Sequence, residues 1–278
     1  MGGLKHSPSN GCTPSGNNPL DSKTSHCWLW SGETFTPDGT LPLTDRGFRY
    51  GMSVFETLRM CNGTPGFLEP HLERLRSAAH ACGFLLPENA LLALPEVLQK
   101  TEGTGVARIY ITAGDGAPDA PAKACRVAVL FESRERFLPS AYTVRTSRTP
   151  HLPPFGGLKT GNYWSNLEAL RQARLLGAQE CLLFRPDGQL TGAAMANVFV
   201  KTHEGWLTPG LECGARDGVI RAWTLEKLEV REAPVTREML AEAASLFLTS
   251  SWIGLMPVSV LDERPLHLAP EIAALKPL

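Results

Sequence analysis

Between Phe55 and Gly83 the apolar pattern changes period, and this limits the folds open to the chain. Phe55–Cys61 reads as a strand closed by the turn pair Asn62-Gly63. From Glu69 to Gly83, Leu72, Leu75, Ala79 and Cys82 then recur at helical spacing. A strand followed at once by an amphipathic helix needs more strands beside it and a sheet face to bury the helix stripe. The next segments supply them. Pro87-Glu88-Asn89 starts a second helix, from Ala90 to about Lys100, and the β-branched runs Val106–Thr112 and Arg126–Phe131 read as buried strands.

Past Phe131 the pattern turns charged and ends in Pro139-Ser140, which reads as a linker between domains. Beyond it come a strand at Tyr142–Thr146, a Pro/Gly-rich loop at Pro150–Gly157 and a helix at Asn166–Leu176. Strands at Glu180–Phe184 and Asn197–Lys201 follow, then a helix from about Asp217 to Leu228, a helix near Arg237–Ala244 and a strand at Leu246–Thr249. Strands mixed with helices, without strict βαβ alternation, predict an α+β fold in two domains. The expected division is a disordered leader over 1–26, rich in Ser, Asn, Gly and Pro, a small α+β domain over 27–132, a linker over 133–141 and a larger domain over 142–278.

Charge and cysteine usage narrow the classes of function. With 27 basic and 28 acidic residues the formal net charge is −1, so nothing draws the chain toward nucleic acid or an anionic membrane. The most apolar stretch, around Leu246–Met256, is interrupted by Thr249, Ser250 and Ser251 and does not read as a membrane span. Seven scattered cysteines with no CxxC pair predict reduced, mostly buried thiols and a cytoplasmic protein. The seven histidines show no HExxH or similar spacing, so no metal is expected.

Three segments and one arginine carry chemistry. Lys159 stands in the nearly uncharged stretch Gly157-Leu158-Lys159-Thr160-Gly161-Asn162-Tyr163, after Pro153-Pro154-Phe155. Partial burial lowers an amine's pKa and makes it a nucleophile toward an aldehyde; a solvated loop lysine is the plain alternative. Tyr163 is near enough to hydrogen-bond whatever that amine holds. Gly214-Ala215-Arg216-Asp217-Gly218-Val219-Ile220-Arg221 leads into a helix, so the N–H groups around Gly218, Val219 and Ile220 form a cradle suited to phosphate. Thr249-Ser250-Ser251 puts hydroxyls at a strand end, for phosphate or for a turn, and Arg74 is a cation within the amphipathic Glu69–Gly83 helix.

Read in order, these segments resemble a known family. Asp45-Arg46-Gly47-Phe48-Arg49-Tyr50-Gly51, Val54-Phe55-Glu56 and His71-Leu72-Glu73-Arg74-Leu75 are similar to the N-terminal signature of the class IV aminotransferases, the fold-type IV pyridoxal phosphate enzymes. Leu158-Lys159-Thr160 with Asn162-Tyr163, then Gly177-Ala178-Gln179-Glu180, resembles their cofactor-lysine segment. Asn197-Val198-Phe199, Gly218-Val219-Ile220-Arg221 and Ser250-Ser251 through Pro257-Val258 extend the resemblance to roughly Cys27–Arg264. It implies a two-domain fold like that of D-amino acid aminotransferase, with pyridoxal 5′-phosphate held as a Schiff base on Lys159. The same lysine would shuttle the substrate's α-proton. Arg74, the Val219 and Ile220 amides, Ser250 and Ser251 would grip the phosphate, and Tyr163 would lie beside the cofactor. A small-molecule amino substrate and a homodimer are implied as well. Phe55, Arg108 and Arg148 are candidates for substrate contact, the arginines because a guanidinium offers a carboxylate two parallel donors.

Two departures stand out. Gly51-Met52-Ser53 replaces the family's usual Gly-Asp-Gly, and in Leu190-Thr191-Gly192-Ala193-Ala194-Met195-Ala196-Asn197 the position of the glutamate that faces the pyridine nitrogen is Gly192. The stretch around Gly254 resembles the aminodeoxychorismate lyase members, so pyruvate elimination giving p-aminobenzoate is the expected reaction. Transamination of branched-chain or D-amino acids is the first alternative. The second is a non-catalytic binding protein on the same scaffold.

Overall fold

The computed structural model describes residues 25–277. Most of the expected leader, 1–24, lies outside the described residues. Ser25 and His26, assigned to the leader above, instead open the first strand and pair with Glu132 and Phe131.

In the first half, β1 (Ser25–Trp30) and β2 (Phe35–Pro37) precede the short helix α1 (Arg46–Tyr50). Then come β3 (Ser53–Cys61), β4 (Thr64–Pro65), α2 (Leu68–Ala81), α3 (Glu88–Gln99), β5 (Thr104–Thr112) and β6 (Arg126–Ser133). The strands form one antiparallel sheet in the order β2-β1-β6-β5-β3-β4. Strand alternation decides what each face carries. Val54, Leu58 and Met60 of β3, with Ala107, Ile109 and Ile111 of β5, pack under Leu72, Leu75 and Ala79 of α2 and Leu91, Leu94 and Leu98 of α3. Each of the Val, Leu, Ile and Met side chains, fully buried, contributes roughly 1.5–3 kcal/mol. Glu56 shares that inner face, whereas Phe55, Thr57, Arg108 and Tyr110 occupy the alternate positions. Arg46 of the Asp45-Arg46-Gly47 segment is fully buried and donates to the carbonyls of Ala113, Gly114, Ala117 and Ala120, fixing the loop after β5.

The second half begins with β7 (Tyr142–Thr146), α4 (Trp164–Leu175), β8 (Glu180–Phe184), β9 (Leu190–Ala193), β10 (Asn197–Thr202) and β11 (Gly205–Thr208). It continues through α5 (Val219–Lys227), β12 (Val230–Glu232), α6 (Arg237–Glu242), β13 (Ser245–Ser250), β14 (Gly254–Leu261), β15 (Arg264–Pro265) and α7 (Pro270–Ala273). Its sheet runs β12-β11-β10-β13-β14-β7-β8-β9, with β15 on β14, and is mixed: β7 is parallel to both β8 and β14. Leu182 and Phe184 face the core made with Val198 and Leu248, while Cys181 and Leu183 pack under Leu170 and Ala173 of α4. Short strands such as β9 and β11 were not read from the sequence, because three or four residues show too little periodicity. Thiols are less buried than expected: among the described residues Cys181 and Cys213 are buried, Cys61 is exposed, and none is paired.

The loop between β7 and α4 docks on β3. Phe55 N donates to Lys159 O at 2.9 Å and Gly161 N to Ser53 O at 2.8 Å, so the lysine segment adds itself to the start of that strand.

Candidate active site

This junction places Lys159 against the outer face of β3. Its Nζ lies 3.9 Å from the centre of the Phe55 ring and 3.3 Å from Tyr163 Oη. Phe55 in turn stacks on Tyr110 and meets Tyr163 edge-on, with ring centres 5.4 and 5.1 Å apart, an apolar corner around one amine. Burial pushes the Lys159 pKa well below the usual lysine value, and Arg216, Arg74 and Arg108 lower it further against the pull of Glu56. Burial also raises the Tyr163 phenol, which therefore keeps its proton.

The amine opens into a cavity of about 410 Å³. Six basic side chains line it, those of Arg74, Arg108, Arg134, Lys159, Arg174 and Arg216, against two acidic ones, Glu135 and Glu180. Such a wall favours an anion. At one side lies the N-terminus of α5, capped by Gly218 with no side-chain hydrogen bond, so its first amides have no capping group. Gly218 is required there by contact: a Cβ would come within 2.0 Å of Asn197 Oδ1. Asn197 Nδ2 donates to the carbonyl of Arg216, two residues before Gly218, at 2.7 Å. Ser250 and Ser251 complete that side of the wall. Two more groups in the lining, Arg216 Nε and Thr249 Oγ1, are buried without a hydrogen-bond partner in the protein. Buried polar atoms are seldom left so, and unpartnered groups beside a helix N-terminus fit a phosphate.

Arg74 is anchored rather than solvated. It donates to both oxygens of Glu56, at 2.7 and 2.6 Å, and to the carbonyl of Asp217. Burial raises the Glu56 carboxyl, but Arg74 and the hydrogen bonds from His71 and Arg74 outweigh it and hold the pKa at about 2. Arg108 lines the cavity while paired with Glu132.

The structure does not gather every candidate. Arg148 is exposed and lies outside the cavity lining. Gly192 faces not the large cavity but a small one of about 30 Å³, shared with His151, Asn166 and Tyr163. Its φ of +148° is a backbone setting that side chains other than glycine's rarely take, and only Ala196 O would lie within 4 Å of an added Cβ, at 3.4 Å. The buried carboxyl in the large cavity comes from Glu180, one strand away. Burial lifts its pKa to about 7, opposed by the N–H groups of Cys181 and Met195, which it accepts at 2.9 and 3.1 Å. Glu56, His71 and Glu180 stand in the segments quoted for the resemblance but carried no role there. Arg216 gave no signal of its own, whereas Thr249 belongs to the hydroxyl run Thr249-Ser250-Ser251 read above as a phosphate candidate.

Comparison with known proteins places this geometry. The family model for amino-transferase class IV matches residues 53–261. The chain belongs to the class IV aminotransferase family. Members are pyridoxal phosphate enzymes, which corrects the non-catalytic alternative entertained from Gly192. This class IV chain is 27% identical over 246 residues to the aminodeoxychorismate lyase of Bacillus subtilis, covering 81% of this chain and 83% of that one. It is 26% identical over 246 residues to a putative branched-chain-amino-acid aminotransferase of Methanocaldococcus jannaschii, with 83% and 85% covered. Among solved structures, the 4-amino-4-deoxychorismate lyase of Pseudomonas aeruginosa superposes with a TM-score of 0.79 at 26% identity, over 89% of this chain and 95% of that one. Among the described residues no helix is long and apolar enough to cross a membrane, and no cluster of His, Cys, Asp or Glu is arranged to hold a metal.

Proposed function

We propose that this class IV enzyme is a lyase that removes pyruvate from an amino substrate bearing two carboxylates, 4-amino-4-deoxychorismate, with Lys159 as its cofactor lysine. The observation that carries the reading is the amine of Lys159, held at low pKa in the floor of a cavity whose other charged walls are mainly arginine. Arg74, Ser250, Ser251 and the Gly218–Ile220 amides would hold the phosphate, and Tyr163 would hold the ring side. When bound, pyridoxal phosphate supplies the electron sink for a bond broken at the substrate's amino-bearing carbon.

The chain's own groups do the rest. Lys159 can take and return a proton, because burial pushes its pKa well below the usual lysine value and Tyr163 Oη steadies it at 3.3 Å. Arg108 and the arginines near the mouth, Arg134 and Arg174, would draw in and orient a substrate with more than one negative charge. Phe55 and Tyr110 keep water from the amine's apolar side. The glutamate position taken by Gly192 puts no acid on β9, so among the described residues Glu180 is the one buried acid lining the large cavity. An elimination that forms an aromatic ring has its own driving force and tolerates a weaker electron sink than transamination does. A cytoplasmic homodimer belongs to this reading as well.

The test is to supply 4-amino-4-deoxychorismate and follow p-aminobenzoate by fluorescence and pyruvate by a coupled assay. Parallel reactions offer branched-chain and D-amino acids with 2-oxo acids. Equimolar p-aminobenzoate and pyruvate support the lyase. Brisk transamination with no p-aminobenzoate replaces it with the aminotransferase reading, which the likeness to the Methanocaldococcus jannaschii protein favours.

A further inference from the structure

Four polar side chains form one unbroken hydrogen-bonded line along the cavity wall. Ser251 Oγ lies 3.0 Å from His71 Nε2, and His71 Nδ1 lies 2.7 Å from Glu56 Oε2. Glu56 then accepts both bonds from Arg74. The two ends, Ser251 and Arg74, line the cavity, while His71 and Glu56 between them are fully buried.

Donor and acceptor roles along this line are not free. Glu56 is ionised and can only accept, so His71 Nδ1 must carry a hydrogen and donate to it. In a neutral imidazole the other nitrogen, Nε2, is then an acceptor. Burial keeps His71 neutral, with Arg74 and Lys159 adding to the effect against the pull of Glu56. The one hydrogen of Ser251 is therefore spent on His71, and the cavity sees only lone pairs of Oγ, which repel an anion. An imidazolium reverses the order. Nε2–H donates to Ser251 Oγ, and the serine hydrogen is released toward the cavity.

We propose that a phosphate dianion entering this cavity brings a proton from solvent onto His71, turning Ser251 from a lone-pair wall into a phosphate donor. The inference rests on the reading of this cavity as the phosphate site of the cofactor. The charges that face His71 are Glu56 from β3, Arg74 from its own helix α2 and Lys159 from the loop before α4; Ser251, at the end of β13, is its one uncharged partner. Of these Glu56 stays ionised and Arg74 stays charged throughout, which leaves His71 and Lys159 to take the proton. The Nε2–Oγ contact selects His71. His71 is a positioning residue: it sets the direction of a hydroxyl that touches the ligand.

The test uses the full-length chain free of cofactor and pyridoxine 5′-phosphate, which has no aldehyde to combine with Lys159. At pH 8 a phosphate monoester is already a dianion, its second pKa being about 6. Calorimetric titration in buffers of different ionisation enthalpy counts the protons. The expected result is uptake of about one proton per ligand, absent with unphosphorylated pyridoxine and lost in His71→Asn, whose amide can still donate to Glu56 from the position of Nδ1. Ring ¹⁵N shifts of His71 in the unaltered chain, moving from the neutral to the imidazolium pattern on binding, check the same point without a substitution. Binding without proton uptake overturns the inference while leaving the cofactor site intact. Uptake that persists in His71→Asn assigns the proton to Lys159 and overturns it too. Failure of pyridoxine 5′-phosphate to bind at all removes the cofactor reading itself, and the inference with it.

Discussion

Lys159 Nζ and Tyr163 Oη lie 3.3 Å apart, four residues from each other in the chain, and both meet the Phe55 ring. The pair joins an amine whose pKa burial lowers well below the usual lysine value to a phenol held protonated by burial. Its consequence is direct. With pyridoxal phosphate the protein should develop a yellow absorbance band, and borohydride should fix an adduct on the peptide containing Lys159. Lys159→Ala should show neither, and turnover should fall at least about 10²–10⁴-fold, the range for losing a positioned proton-transfer group. An adduct on another peptide would refute the assignment.

Removing Arg74 leaves Glu56 charged, 1% exposed and without its cation. Arg74→Ala is therefore expected to cost about 3–5 kcal/mol in urea unfolding. Adding Glu56→Gln should recover part of that loss, because the two residues form one unit.

The same pair predicts an acid dependence. The folded pKa of Glu56 is about 2 against a usual 4.5, so its contribution is present above about pH 4.5 and is lost as pH falls toward 2. The stability gap between the unaltered chain and Glu56→Gln should close across that window. A gap that stays constant from pH 5 to pH 3 would contradict the ion pair.

Glu180 should behave in the opposite sense. Its folded pKa is about 7 against a usual 4.5, so between these values the folded state holds a proton that the unfolded state has released. Stability then declines as pH rises through that interval. Relative to Glu180→Gln, the unaltered chain should lose up to about 3 kcal/mol between pH 4.5 and pH 8. Parallel curves in denaturant titrations at several pH values would show that Glu180 is ionised throughout.

Restoring the family's usual residue at Gly192 should not be harmless. At φ +148° a side chain carries backbone strain of about 1–3 kcal/mol. Gly192→Ala and Gly192→Glu should both lower the thermal midpoint, the glutamate by more because its carboxyl enters a cavity of only about 30 Å³. An unchanged midpoint would mean that β9 relaxes freely there.

Much of this protein was legible in the chain because its signals are local. A period of two over Phe55–Cys61 and one of 3.6 over Glu69–Gly83 gave a strand and a helix, observed at Ser53–Cys61 and Leu68–Ala81. The collinear motifs from Asp45 to Val258 carried the family, because glycines and a lysine at fixed chain positions need no knowledge of what packs against them.

The site's electrostatics were not legible in this way. Ser251 and His71 are 180 residues apart, and only the fold brings them to 3.0 Å. Glu56 reads as one more polar position in a strand until the inner face of β3 buries it beneath α2 and leaves Arg74 as its cation. That Arg216 Nε and Thr249 Oγ1 are buried in the cavity wall without a partner shows only in the fold. The sequence by itself determined the elements, the family and the lysine. Tertiary structure decided which charges are buried together, because a pKa depends on the distance to other charges and to water, and both are set by chain segments far apart in sequence.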